Sequence, residues 1–198
     1  LSLGDNSYTF TVWENTSGQS YVELYSTAQS VTLADEFQPF VRPNIYCNYD
    51  ESSTVVQLAN ELTANAQNEG DAVRAIYTWI IDNIEYDTTK AEQLADASGY
   101  VPSPDATLEA RSGICFDYAS LAAAMLRSQG IPCKITTGIV NPDNIYHAWN
   151  MIYIDGTWVS ATISVEQNTW TRIDTTFAAA DETAYVGDGT SYTDRYTY

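Results

Sequence analysis

Apolar positions recur along this chain with two periods, and the change from one to the other marks its elements. Near the start they alternate with polar ones: Tyr8, Phe10 and Val12, then Tyr21 and Tyr25 about Glu23, with Ser17-Gly18-Gln19 between them as a turn. Alternation places every second side chain on one face of a strand. The first 50 residues therefore read as a few short strands, a β-rich extension of a main sheet. The period then becomes helical. Val55, Leu58, Leu62 and Ala66 share one face, and Val73, Ile76, Tyr77, Ile80, Ile81 and Ile84 share another from near Asp71, with Asn68, Glu69 and Gly70 between the two.

Residues 85–105 are polar and read as a loop ending in Pro102-Ser103-Pro104-Asp105, followed by a short helix over Thr107–Arg111 that Gly113 ends. A long helix is predicted over Cys115–Gln129, closed by Gly130 and Pro132. Tyr118, Leu121, Ala122 and Met125 form its apolar face, widened by Ala119, Ala123 and Leu126, and its small residues suit close packing on a sheet. Strands follow over Ile135–Val140, His147–Ile154, Trp158–Val165 and Thr169–Asp174, with Asp155-Gly156 as a hairpin turn. The closing GDGTSYTDRYTY reads as a tail that frays. Helices first and strands after predict an α+β fold, with a central cysteine-bearing helix packed against an antiparallel sheet. Length favours one domain over 1–198.

Charge narrows the partners. Eight Lys and Arg oppose 26 Asp and Glu, for a net charge of -18. That balance disfavours nucleic acid and anionic membrane surfaces. Its plain explanation is a solvated acidic exterior. No apolar run has the length to span a bilayer. The absence of an initiating Met, with abundant Tyr, Thr, Ser and Asn and scarce Lys, suggests a processed or trimmed chain of bacterial secreted or cell-surface origin. Asn15-Thr16-Ser17 matches a glycosylation sequon, a pattern short enough to arise by chance.

The candidate chemistry begins with Cys115, one of three cysteines, which follows a glycine and opens a helix. A helix N-terminus favours a thiolate, and its free N–H groups can also donate to an oxyanion. A lone cysteine is more often a buried small hydrophobe. His147 is the single histidine, standing at a strand start, and the one imidazole able to take a thiol proton. A third group should then accept its other N–H.

RSGICFDYASLAAAMLRSQGIPCKITTGIV followed by HAWN resembles the transglutaminase-like superfamily, whose members share papain-type Cys-His-Asp logic. Gly113, Cys115, Tyr118, Ala119, Gly130-Ile131-Pro132 and His147-Ala148-Trp149 carry the likeness, and IIDNIEYD is similar to the family's segment before the catalytic loop. It covers about residues 54–178. Counted without gaps, the family's acidic position falls on Thr162, which cannot be an anion. Further on, Trp170-Thr171-Arg172-Ile173-Asp174-Thr175-Thr176-Phe177 resembles the family's Trp-x-x-x-Asp-Pro-Thr-Phe, with Thr175 for Pro. The resemblance thus implies Asp174 as third member, after an inserted strand excursion. Asp155 is the runner-up, with a turn as sufficient explanation.

Cys133 fits a buried thiol, and Cys47 could pair with it in an exported protein, leaving Cys115 free; the count permits either state. Trp149 and Trp158 are candidates to bind substrate or simply to pack. With one His and no Cys-x-x-Cys, no metal is expected, and no cofactor.

Two readings remain. One is a cysteine protease or amidase acting on a protein or peptide, cell-wall peptide among them, with cross-linking by amine transfer as an alternative outcome. The other is a non-catalytic cell-surface or cell-wall binding module that keeps the fold.

Overall fold

The computed structural model describes residues 2–95, 97–141, 144–154, 158–159, 164–165, 170–180 and 192–198, with 158–159, 164–165 and 170–171 described by backbone alone. The chain divides into two compact units, Leu1–Pro39 and Phe40–Tyr198. The β-rich extension therefore ends at residue 39 rather than 50. Residues 40–50 belong to the second unit, where Phe40 and Cys47 are buried and the Tyr46 carbonyl accepts the Ser120 hydroxyl at 2.6 Å.

The first unit is one antiparallel hairpin of β1 (Asn6–Ser17) and β2 (Ser20–Val31), longer than the short strands predicted. Its turn falls where Ser17-Gly18-Gln19 placed it, with Gly18 at a φ of 55° that favours glycine. Val12 opposes Tyr25 and Phe10 opposes Thr27, which sets Tyr8, Phe10, Val12 and Tyr25 on one face.

The second unit opens with α1 (Thr54–Thr63) and α2 (Glu69–Asn83). Asn68 caps α2 through its side chain, accepting from the Asp71 N–H at 2.9 Å. The stretch read as loop holds β3 (Glu85–Tyr86) and α3 (Thr88–Leu94), whose residues are all at least partly exposed, so no apolar period announced the helix. Then come α4 (Pro104–Ala110), β4 (Ser112–Gly113) and α5 (Cys115–Ser128). Gly130 closes α5 with a φ of 78°, as its position implied.

The remaining elements are β5 (Cys133–Val140), β6 (Ile145–Tyr153), β7 (Trp158–Val159), β8 (Ser164–Val165), β9 (Trp170–Ile173), α6 (Thr175–Ala179) and β10 (Tyr192–Thr197). They form a four-stranded antiparallel sheet in the order β10-β5-β6-β9. The tail predicted to fray is thus partly an edge strand of this sheet. Conversely, the single strand predicted over 158–165 is a separate β7-β8 pair. That pair is the excursion inferred between His147 and Asp174, after which β9 rejoins β6 with Ile173 opposite Asn150.

Helix α5 packs on this sheet. Tyr118, Leu121, Ala122, Met125 and Leu126 lie in one core with Ile135, Ala148, Ile152 and Ile173 of the sheet and Val73, Ile76 and Ile80 of α2. Burial of each large aliphatic side chain is worth roughly 1.5–3 kcal/mol. The Asn150 amide of β6 donates to the Ala119 carbonyl at 2.9 Å, fixing the strand against the helix. At the other edge Gly138 lets β10 come close: a Cβ there would lie 2.0 Å from the Thr193 carbonyl oxygen.

Candidate active site

Cys115 is the first residue of α5 and is partly exposed, whereas Cys47 and Cys133 are free and fully buried. The disulfide left open by the cysteine count is therefore not formed. Burial raises both buried thiols, each to about 12, which keeps them protonated and unreactive.

The start of α5 is held by Asp117, which has no exposed surface. Its carboxylate accepts the Ile114 N–H at 2.9 Å and the Lys90 ammonium of α3 at 2.6 Å, and the Tyr100 hydroxyl donates to its other oxygen. One carboxylate thus ties the helix start, α3 and the segment before α4 together. Burial works against the Lys90 charge, but the bonds to Asp117 and Tyr100 outweigh it and raise Lys90 above the ordinary lysine range. Gly113 is required beneath this: a Cβ there would come within 2.6 Å of the Asp117 Cβ.

His147 sits in β6 opposite Gly138 of β5, and its side chain is 4% exposed. Its Nε2 meets Asp174 Oδ2 at 2.8 Å. Cys115, at the start of α5, acts on the same ring, adding to the pull that favours its protonated form. With Nε2 committed to Asp174, Nδ1 is the ring nitrogen left to exchange a proton. The Phe177 ring stacks on the imidazole at 4.1 Å and 18°, fixing its plane. Burial disfavours the imidazolium, but the Asp174 charge and hydrogen bond, with a smaller part from Cys115, win and raise His147 to about 10.

Asp174 is the N-cap of α6 and is 2% exposed. Its Oδ1 accepts the N–H groups of Thr176 and Phe177 at 3.1 and 3.0 Å, and its Oδ2 accepts the Tyr192 hydroxyl at 2.9 Å besides the imidazole. Of the three residues named from the sequence, His147 and Asp174 are thus bonded directly, and Cys115 acts on the same ring from the start of α5.

Trp149 is 1% exposed and packs edge-on to Tyr192 at 4.9 Å and beside His147, a wall of the site inside the core. The Trp158 side chain, Asp155 and Thr162 lie outside the described residues. Sequence reasoning missed Tyr192, Phe177, Lys90, Tyr100 and Asp117. Of these, only Phe177 had a signal, inside the Asp-Thr-Thr-Phe phrase. Among the described residues no group of His, Cys, Asp and Glu is placed to hold a metal ion, and no helix is long and apolar enough to cross a membrane.

A cysteine at a helix start and a histidine bonded to a carboxylate at the end of a neighbouring strand are the parts that a papain-like thiol site is built from. The chain belongs to the transglutaminase-like superfamily, which it matches over residues 56–163, a stretch that holds Cys115 and His147 and ends before Asp174. It is 29% identical over 144 residues to kyphoscoliosis peptidase of Homo sapiens, covering 67% of this chain and 21% of that protein. It is 26% identical over 145 residues to a UPF0252 protein of Methanocaldococcus jannaschii, covering 69% of this chain and 40% of the other. The crystal structure of a candidate cysteine protease from Cytophaga hutchinsonii superposes with a TM-score of 0.51 at 25% identity, over 84% of this chain and 55% of that one. The chain thus spans less than two thirds of each of these relatives.

Proposed function

We propose that this protein is a cysteine-dependent amide hydrolase acting on peptide or protein substrates through a thioester. The carrying observation is the 2.8 Å bond between His147 Nε2 and Asp174 Oδ2, which orients the ring and leaves Nδ1 to serve the partly exposed Cys115. In the reaction His147 Nδ1 takes the thiol proton and Sγ attacks the amide carbonyl carbon. The backbone N–H of Cys115, unsatisfied at the helix start, donates to the oxyanion. As the C–N bond breaks, the imidazolium returns its proton to the departing amine, leaving the acyl group on sulfur. Water then loses a proton to His147, attacks the thioester and releases the acid and the free thiol. An amine in place of water would make the step a cross-link.

Two measurements test this. Iodoacetamide should label Cys115 selectively below neutral pH, in a manner that His147→Ala abolishes. A mass-spectrometric screen of peptides, run with and without a primary amine, should show cleavage that Cys115→Ala removes. Labelling only at alkaline pH, unchanged by His147→Ala, would sink the activated pair and leave the binding-module reading. Products carrying the amine in place of free acids would replace hydrolysis by transfer.

A further inference from the structure

The Asp174 carboxylate has two differently used oxygens. Oδ1 is occupied by the backbone of α6, which orients the group without any help from the sheet. Oδ2 faces the imidazole, and it is this oxygen that the Tyr192 hydroxyl also contacts. Tyr192 arrives on β10, the edge strand that pairs with β5, whereas Asp174 and His147 belong to β9–α6 and β6. The phenol is held from several sides. Its ring meets Trp149 edge-on, and the Arg172 guanidinium lies 4.2 Å from its centroid. The close approach of the Thr193 carbonyl to Gly138 fixes the strand next to it.

We propose that Tyr192 is a positioning residue of the site: by donating to Asp174 Oδ2 it shares with His147 the one carboxylate oxygen that holds the imidazole, and so sets how tightly that ring keeps its proton. This rests on the hydrolase reading only for its consequence in turnover. A donor on Oδ2 draws off part of the charge that would otherwise stabilise the imidazolium. The ring then returns its proton to a leaving amine more readily than if it held the carboxylate alone. The groups acting on the ring are Asp174, Cys115 of α5 and, through Tyr192, Arg172 of β9 and Tyr77 of α2. Burial, followed by the Asp174 charge, raises Tyr192 far above the usual phenol range, so it stays a donor at neutral and mildly alkaline pH. Docking of β10 thereby becomes part of the site.

The test uses the single histidine, whose imidazole signals in a 15N-histidine-labelled sample belong to His147 alone. Tyr192→Phe should move the Nε2-bound proton downfield and raise the His147 titration midpoint by roughly half to one pH unit. Tyr196→Phe, an exposed phenol on the same strand, should leave both unchanged. Tyr192→Met, which also lacks the hydroxyl, repeats the test should the Phe variant not fold. A midpoint that stays put or falls in a folded variant overturns the proposal. Where cleavage is observed, Tyr192→Phe should lower kcat about tenfold with KM little changed. The spectroscopic result needs no substrate, so it stands or falls separately from the hydrolase reading.

Discussion

Asp174 satisfies two demands with one side chain, capping α6 with Oδ1 and orienting His147 with Oδ2. Asp174→Asn separates them. The amide oxygen still accepts from Thr176 and Phe177, so the helix start survives. Its amino group then faces Nε2, which must give up its proton and leave Nδ1 protonated toward the sulfur. Turnover should fall roughly ten-thousand-fold while the melting temperature changes little, as for other triads whose tautomer is inverted. A collapse of the fold instead would make Asp174 chiefly structural. His147 adds a pH-dependent stability of defined sign. Its folded value is raised, so its contribution is complete below the ordinary imidazole value and is lost as pH rises through about 10. The melting-temperature advantage of the wild type over His147→Gln should therefore be greatest in mild acid and shrink toward pH 10; a constant difference would contradict the ion pair.

At the scale of elements, the start of α5 depends on a bridge between distant segments. Lys90→Met leaves the Asp117 carboxylate buried beside an empty position, and removing one partner of a buried pair costs about 3–5 kcal/mol. Lys90 keeps some exposure to water, which places the expected loss near the lower end, read from urea unfolding. Labelling of Cys115 should slow in the same variant, since its helix turn loses an anchor. An unchanged unfolding midpoint would show that water replaces the ammonium. This bridge also shows what the sequence carried. Helix α5 was legible because its apolar face repeats at helical spacing and Gly130 and Pro132 mark its end. Asp174 was legible because the phrase around it resembles a family motif, although displaced. Lys90 sits in a helix without a buried face, and its bond to Asp117 spans 27 positions, so neither period nor motif pointed to it. Tyr192 was hidden for a related reason: along β10 it alone is buried, and the exposed residues after it hid the pattern of a paired strand.

For the whole molecule, the distribution of buried residues sets which part can stand alone. Every fully buried hydrophobic side chain among the described residues lies at or beyond Phe40, and so do Cys115, His147 and Asp174. The first unit instead exposes Phe10, Val12, Trp13, Tyr21, Val22, Leu24 and Tyr25 on two strands. A two-stranded hairpin without a core is marginal in water, because it cannot offset the entropy of ordering its backbone. Residues 40–198 expressed alone should therefore fold cooperatively and keep pH-dependent labelling of Cys115, while a peptide of residues 1–39 should give a largely unfolded circular-dichroism spectrum. Removing the hairpin should shift the melting temperature of the remainder by no more than about 4 °C, the change expected from roughly 1 kcal/mol in a domain of this size. A larger loss, or a thiol that no longer responds to His147→Ala in the shortened chain, would show that residues 40–198 do not suffice for the fold and the site.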